Sequence, residues 1–325
     1  MKTPSTGGKR SPEYFEDFLE ERRSDAQTRT RSRADLLIGI CIVGFYAVWR
    51  ASVAYPTGQA MEQMAFVGSR IGARFVSAQA LGLLQVVSVP AAIGLVLVVL
   101  VGALWRGSRR RALWAAGTVV AINVSTQVIK YLVLSRPDFG FSQKFGGANT
   151  LPSGHTAVAA SAAVALILVS TPRWRPAAAW AGAVLAAAMG YATLVCQWHR
   201  PGDVLAALLL ATCWGGVAIT FGAWADEPRR GDADVWTRIR QYQPENSFFS
   251  VVVLGGLAVF AGVNALVFEV ITWRNVVDVG GVAAVAAGQI TRDSAFLAYA
   301  AGAFGTVGMA GMGMASLALL TPREE

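Results

Sequence analysis

Charged side chains are scarce in this chain. They make up 15% of its 325 residues, where a soluble globular domain carries about 25%. The deficit is concentrated in long apolar runs, and 54% of all residues are hydrophobic. An ordinary soluble domain is thereby excluded, and the bilayer is the solvent to reason with. Cysteine is scarce too. Cys41, Cys196 and Cys213 are odd in number and lie within apolar segments, which argues against a disulfide framework, and no metal-ligand spacing occurs. They read as small buried apolar residues. The first 35 residues are polar, carry both charges and lack an apolar core, so they do not read as a cleavable signal peptide. The net charge is +8, with arginine in excess. These arginines sit in short loops between apolar runs. They therefore read as orientation signals, and no nucleic-acid partner is expected.

Apolar runs fall at roughly 36–54, 82–105, 112–134, 154–172, 176–198, 204–224, 248–273 and 295–320, each near the roughly 20 residues a helix needs to cross the hydrocarbon. The expected fold is all-α, a polytopic membrane helix bundle with a six-helix core and two extra C-terminal spans. Eight spans put both termini on one side. The N-terminal tail, Arg106 with Arg109, Arg110 and Arg111, Arg173 with Arg175, Arg229, Arg230, Arg238, Arg240 and Arg323 all fall on that side, which is therefore expected to be cytoplasmic. Residues 1–34 read as a cytoplasmic tail, with a short helix from Pro12 to Arg23 as an option that places Phe15, Phe18 and Leu19 on one side. Residues 35–224 form the six-span core, 225–247 a cytoplasmic loop, and 248–325 the last two spans with a short tail. Between the first two spans, Met61, Met64, Phe66, Ile71 and Phe75 mix with Arg70 and Arg74, the pattern of a helix lying in the interface. Gly302, Gly305, Gly308 and Gly311 recur at three-residue spacing in the last span, a stripe that lets another helix approach closely.

The chain has two histidines, His155 and His199, both expected at the outer ends of spans. His155 follows Leu151-Pro152-Ser153-Gly154 at the start of the fourth span. His199 ends the fifth, before Arg200-Pro201-Gly202-Asp203. Lys130 and Arg136-Pro137 end the third on the same face. Pro152 suits the first turn of a helix, and Ser153 and Gly154 then offer free backbone N–H groups at a helix N-terminus, a ready anion site. Lys130 and Arg136 add positive charge, the arginine able to grip two oxygens at once. If Pro201 starts the sixth helix, Asp203 can reach back to the His199 imidazole, fix its tautomer and raise its basicity. An oriented imidazole beside an anion site is a nucleophile candidate, and the second histidine can protonate a leaving oxygen. Together these residues make a phosphoryl-transfer site that needs no metal and no cofactor.

These residues resemble the type 2 phosphatidic acid phosphatase superfamily, the lipid phosphate phosphatases and their acid-phosphatase and haloperoxidase relatives. That family carries Lys followed by Arg-Pro, then Pro-Ser-Gly-His, then Ser-Arg followed by His and, four residues on, Asp. Here they stand as Lys130 with Arg136-Pro137, Pro152-Ser153-Gly154-His155, and His199 with Asp203. The resemblance covers about residues 82–224. It implies that His199 attacks phosphorus to give a phosphohistidine and that Asp203 orients it. His155 would protonate the departing alcohol and then help water hydrolyse the intermediate. Lys130, Arg136, Ser153 and the Gly154 amide would hold the phosphate. Two positions depart from the pattern. Five residues rather than six separate Lys130 from Arg136, a rotation of about 100° on a helix that the turn after Leu134 must absorb. The family's Ser-Arg aligns with Ala192-Thr193, so one phosphate-binding arginine is missing, and Arg200 is the substitute at hand.

The expected function is hydrolysis of a membrane lipid phosphate, a phosphomonoester or diphosphate, at the extracytoplasmic face of the plasma membrane. Phosphatidic acid, phosphatidylglycerol phosphate, isoprenyl (di)phosphates and isoprenyl-linked sugar phosphates all fit. The Ala-, Gly- and Arg-rich composition hints at a GC-rich bacterial genome. Two other readings stay open: a transferase that passes the same phosphoryl or head group to an alcohol, and a non-enzymatic lipid flippase or scaffold. Asn123, Gln127 and Lys130 lie at helical spacing, a polar stripe of the kind that faces a bundle interior or a cavity. The loop of Phe139, Phe141, Lys144 and Phe145 can either dip into lipid and gate access or form part of an aromatic belt.

Overall fold

The computed structural model describes residues 12–86, 108–141, 148–225 and 246–320, with Gly94, Leu97 and Val101 as isolated positions between the first two stretches. Among the described residues every regular element is helical. These are α1 (Pro12–Trp49) running into a π-helical turn (Arg50–Ala54), α2 (Pro56–Val86), α3 (Arg109–Val128) running into a second π-helical turn (Ile129–Val133), α4 (Gly154–Val169), α5 (Arg175–Val195), α6 (Pro201–Thr220), α7 (Asn246–Asp278), the short α8 (Val282–Ala286) and α9 (Arg292–Leu319). Six segments are long and apolar enough to cross a membrane: Gln27–Ala54, Arg109–Val133, Arg175–Val195, Pro201–Thr220, Phe248–Asp278 and Arg292–Leu319; α4 is a shorter apolar helix. The protein is a multi-pass helical membrane protein. Residues 82–86 of the expected span 82–105 are the end of α2; most of the rest of that span, Lys144, Phe145 and nearly all of the 225–247 loop lie outside the described residues.

Local chemistry sets the helix starts. The Ser108 hydroxyl accepts the Arg111 N–H at 3.4 Å to begin α3, and the Thr291 hydroxyl accepts the Ser294 N–H at 3.2 Å to begin α9. Each satisfies a donor that the first turn leaves without an intrahelical partner. Pro176 and Pro201 occupy the first turns of α5 and α6, where a missing N–H costs nothing. The bundle is held by small residues. Ala157, Ala160 and Ala163 of α4, Ala179, Ala183 and Ala186 of α5, and Ala207 and Ala211 of α6 share one buried core, which brings helix backbones close together.

The glycine stripe of α9 packs as the sequence implies. A Cβ on Gly302 would lie 2.5 Å from Pro201 Cγ, one on Gly308 2.9 Å from the Gly262 nitrogen, and one on Gly311 2.8 Å from Ala258 Cβ. The last span thus backs directly onto the proline that opens α6. Gly305 faces ordinary contacts at 3.6 Å and beyond.

Two expectations need correction. The short helix foreseen at Pro12–Arg23 is the start of α1, which continues unbroken to Trp49; the side chains of Phe15, Phe18 and Leu19 lie outside the described ones. The segment after the first span is helical as foreseen, but its apolar side covers protein rather than lipid. Ala60, Met64, Ala65 and Phe66 are buried while Arg70 and Arg74 stay exposed. A Cβ on Gly68 would fall 1.9 Å from the Ala295 carbonyl oxygen and one on Gly72 2.4 Å from the Tyr299 hydroxyl, so α2 lies tight against α9.

Candidate active site

Asp203, in the first turn of α6, gathers the site. It is fully buried, and one carboxylate oxygen lies 3.1 Å from His199 Nδ1. The same oxygen accepts the Arg200 N–H at 3.1 Å, capping the helix that Pro201 opens. Its other oxygen faces Arg136 Nη2 at 3.6 Å. A carboxylate can only accept, so the proton of the imidazole belongs on Nδ1 and the lone pair on Nε2. The reach from Asp203 back to His199 is the one the sequence implied, and it depends on Pro201 starting the helix.

The segment before α4 departs from expectation in two details. Pro152 lies ahead of the helix, not in its first turn; Ser153 is the N-cap and Gly154 the first helical residue. Ser153 does not offer its amide. That N–H donates to the Asp203 carbonyl at 2.8 Å, and the Ser153 hydroxyl accepts from the Thr156 hydroxyl at 3.0 Å. Ser153 therefore locks the start of α4 to the start of α6. Gly154 keeps its surroundings open. A Cβ there would meet nothing nearer than Gln127 Nε2, at 3.8 Å. His155 follows at the same end, its ring edge-on to Trp198 with centroids 5.1 Å apart, and lies within electrostatic reach of His199 and Lys130.

Lys130 sits in the π-helical turn that ends α3, where the Leu134 N–H reaches the Ile129 carbonyl at 3.0 Å. Such turns are frequent at functional sites. The helical register thus changes from Ile129 onward, before the turn after Leu134. Lys130 is in electrostatic range of Asp203. The Asn149 amide spans the first two motif segments, donating to the carbonyls of Lys130 at 3.2 Å and Leu151 at 2.9 Å. Arg136 is buried, and its Nε and Nη2 have no hydrogen-bond partner among the described residues. Buried guanidinium donors in that state are available to an anion. Of the polar stripe, Asn123 faces the bundle and donates to Ser161 of α4 at 3.2 Å, Lys130 is half-buried, and Gln127, beside Gly154, is exposed; the stripe faces the bundle only in part.

Arg200 is 1% exposed. One guanidinium nitrogen donates to the Phe141 carbonyl at 2.9 Å, and the group lies 5.9 Å from the Phe66 ring. Phe141 is itself buried against Met64, Val276 and Val285, with Phe139 packed alongside. That part of the aromatic loop neither dips into lipid nor forms a belt. Thr193, which stands where the family carries arginine, is fully buried and donates to the Gly190 carbonyl at 2.7 Å.

Sequence reasoning passed over the residues of α2 that touch this site. The Gln59 amide donates to the Pro137 carbonyl at 2.8 Å. The Glu62 carboxyl accepts the Gly202 N–H at 3.0 and 3.2 Å. The Phe66 carbonyl accepts from Gln197 at 2.7 Å. The signal in the sequence was weak: one carboxylate and two amides, Gln59 and Gln63, among mostly apolar residues.

Residues 111–226 match the family model described as the PAP2 superfamily. No curated protein and no solved structure matches the chain. The matched stretch runs from the first turn of α3 past the end of α6 and holds all three motif segments, whereas α1, α2, α7, α8 and α9 lie outside it. Members of this superfamily are phosphoesterases, and phosphatase-type activity on phosphate esters is what the match supports. Through residues 111–226, about a third of its length, the chain is similar to the PAP2 superfamily.

Proposed function

We propose that the protein is a membrane lipid-phosphate phosphatase that works through a phosphohistidine at the extracytoplasmic face of the plasma membrane. The observation that carries this reading is the His199 Nδ1–Asp203 contact of 3.1 Å beside His155, Lys130 and a buried Arg136 with unengaged donors. With Nδ1 held by Asp203, Nε2 of His199 attacks phosphorus. A P–N bond forms, the P–O bond to the lipid alcohol breaks, and His155 gives its proton to the leaving oxygen. Water then attacks the same phosphorus, His155 takes the proton from water, the P–N bond breaks, and inorganic phosphate leaves. Lys130, Arg136, Arg200, the Ser153 hydroxyl and the Gly154 amide hold the phosphoryl oxygens as their charge grows. These groups sit at helix ends, the C-terminal ends of α3 and α5 and the N-terminal ends of α4 and α6, which suits a substrate whose phosphate is held at the membrane surface.

Phosphate release in detergent, measured over a panel of lipid phosphates, tests the activity. Wild type should release phosphate from at least one, and activity should persist in EDTA, since this scheme draws its charge stabilisation from Lys130, Arg136 and a helix N-terminus. Transfer to an added alcohol with no free phosphate would favour the transferase instead. Loss of activity in EDTA with rescue by magnesium would refute the mechanism.

Sidedness follows from the arginines. The termini and the 225–247 loop should be cytoplasmic, and residues 135–152 and 275–293 outside. Asp138 and Arg173, both exposed, flank α4 at opposite ends. In a background free of Cys41, Cys196 and Cys213, Asp138→Cys should react with an impermeant maleimide added to intact cells and Arg173→Cys only after lysis. The reverse pattern would overturn the orientation and the compartment of the site.

A further inference from the structure

α2 lies outside the matched segment, yet one of its sides is bonded to the site. Gln59, Glu62 and Phe66 are spaced by three and four residues, which places them on a single helix face. Gln59 holds the Pro137 carbonyl, next to Arg136. Phe66 is held by Gln197, in the turn that carries His199. Glu62 sits between them with both oxygens on the Gly202 N–H. Gly202 is the second residue of α6, so its N–H is one of the donors that a helix start leaves open, and Asp203 is the next residue. The fit is tight: a Cβ on Gly202 would lie 2.3 Å from the Ser52 hydroxyl and 3.3 Å from a Glu62 carboxylate oxygen.

A buried carboxyl is an expensive way to satisfy one amide. Glu62 is 8% exposed and faces the Asp203 carboxylate and the Arg136 and Arg200 guanidiniums, with Glu269 of α7 also in range. Burial first, then the neighbouring Asp203 charge, pushes its carboxyl up to about 8. Below that pH it adds a hydrogen-bonding group and little negative charge, so it does not oppose the cations that must hold an anion.

We infer that Glu62 is a positioning residue: by gripping the Gly202 N–H from α2 it fixes the start of α6, and with it the Asp203 carboxylate against His199. This rests on the proposed histidine mechanism. Displacing a reacting group by about 1 Å costs about 10²-fold in rate, and that is the loss to look for.

The test compares Glu62→Gln, which keeps an acceptor of the same reach, with Glu62→Met, which keeps the volume and removes the acceptor. Phosphate release is measured on folded, size-fractionated protein with the best substrate of the panel. Glu62→Gln should stay within about threefold of wild type. Glu62→Met should lose about 10²-fold in kcat with little change in KM. If Glu62→Met does not fold, Glu62→Asp draws the carboxyl back by one carbon and should lose about tenfold in kcat, again with little change in KM. Wild-type kcat in folded Glu62→Met, or in Glu62→Asp where Met fails, would overturn the inference. So would equal impairment of the Gln and Met variants. His199→Ala is the control that separates the two readings: full activity in that variant sinks the mechanism itself, whereas an inactive His199→Ala beside an unimpaired Glu62→Met sinks only the role of Glu62.

Discussion

His199→Ala should lower turnover by about 10⁶-fold, the scale on which removing a nucleophile acts. No other side chain in the described site stands ready to replace it. His155 is the nearest imidazole, but its ring is set against Trp198, and its assigned work is proton transfer. Asp203→Asn should fall by about 10⁴-fold, because an amide there can leave His199 in the wrong tautomer. The loss reaches beyond tautomer. Asp203 also caps its own helix through the Arg200 N–H and faces Arg136, so the amide variant weakens two further attachments at once. His155→Ala should separate from both when the leaving group is already good. With p-nitrophenyl phosphate, the burst of nitrophenol that reports phosphorylation should survive His155→Ala far better than His199→Ala, since nitrophenolate needs no proton to depart. Rapid-quench measurement of that burst, together with labelled phosphate retained on the protein, resolves the two steps. Equal loss of the burst in both variants would contradict the division of labour, and labelled phosphate retained by His199→Ala would remove His199 as the nucleophile.

The parts of this site that were legible in the sequence are those in which side chains act on side chains at short range. His199 and Asp203 are four residues apart, and Pro201 between them marks where a helix must begin, so their contact follows from local geometry. The membrane class followed from run length alone, and the packing role of Gly302, Gly308 and Gly311 from their missing side chains. What escaped has a common physical cause: the partner is main chain. Glu62 accepts from the Gly202 amide, Asn149 donates to the carbonyls of Lys130 and Leu151, and the Ser153 N–H goes to the Asp203 carbonyl. A backbone group leaves no mark in the residue pattern, so these attachments appear only once the fold is built. The fate of α2 was hidden for a different reason. Met64 and Phe66 beside Arg70 and Arg74 make the same amphipathic pattern whether the apolar face meets acyl chains or the flank of α9. The burial of Phe141 likewise depends on α8, whose five residues carry no signal of where they will lie.

Arg136→Ala and Arg200→Ala should each cost about 10² to 10³-fold in turnover, the equivalent of roughly 2.7–4 kcal/mol for a well-placed donor to developing charge. For Arg136 the ground is direct: a buried guanidinium with Nε and Nη2 unengaged and only a 3.6 Å approach to Asp203. For Arg200 the ground is the pattern of charge. Thr193 cannot stand in for a missing cation, since its short hydroxyl is buried and already donates to Gly190. Arg200 adjoins His199, keeps its charge at any working pH, and lies in electrostatic range of Arg136. With Lys130, that makes three cations around the Asp203 carboxylate, an excess that a phosphoryl group would balance. Arg200 also holds the Phe141 carbonyl at 2.9 Å, and Phe141 belongs to the loop that follows Arg136-Pro137. It can therefore act on substrate or merely brace its neighbour, and a double-mutant cycle separates the two. If Arg200 grips phosphate in its own right, the losses of Arg136→Ala and Arg200→Ala should multiply in the double variant. Arg200→Lys should already be poor, because a point charge cannot reproduce a two-oxygen grip. If Arg200 only steadies the loop, the double variant should be no worse than Arg136→Ala alone, and the lysine variant should recover the contact to Phe141 along with most of the rate. Near-wild-type turnover in folded Arg200→Ala would dismiss both roles and leave the phosphoryl oxygens to Lys130, Arg136 and the N-terminus of α4.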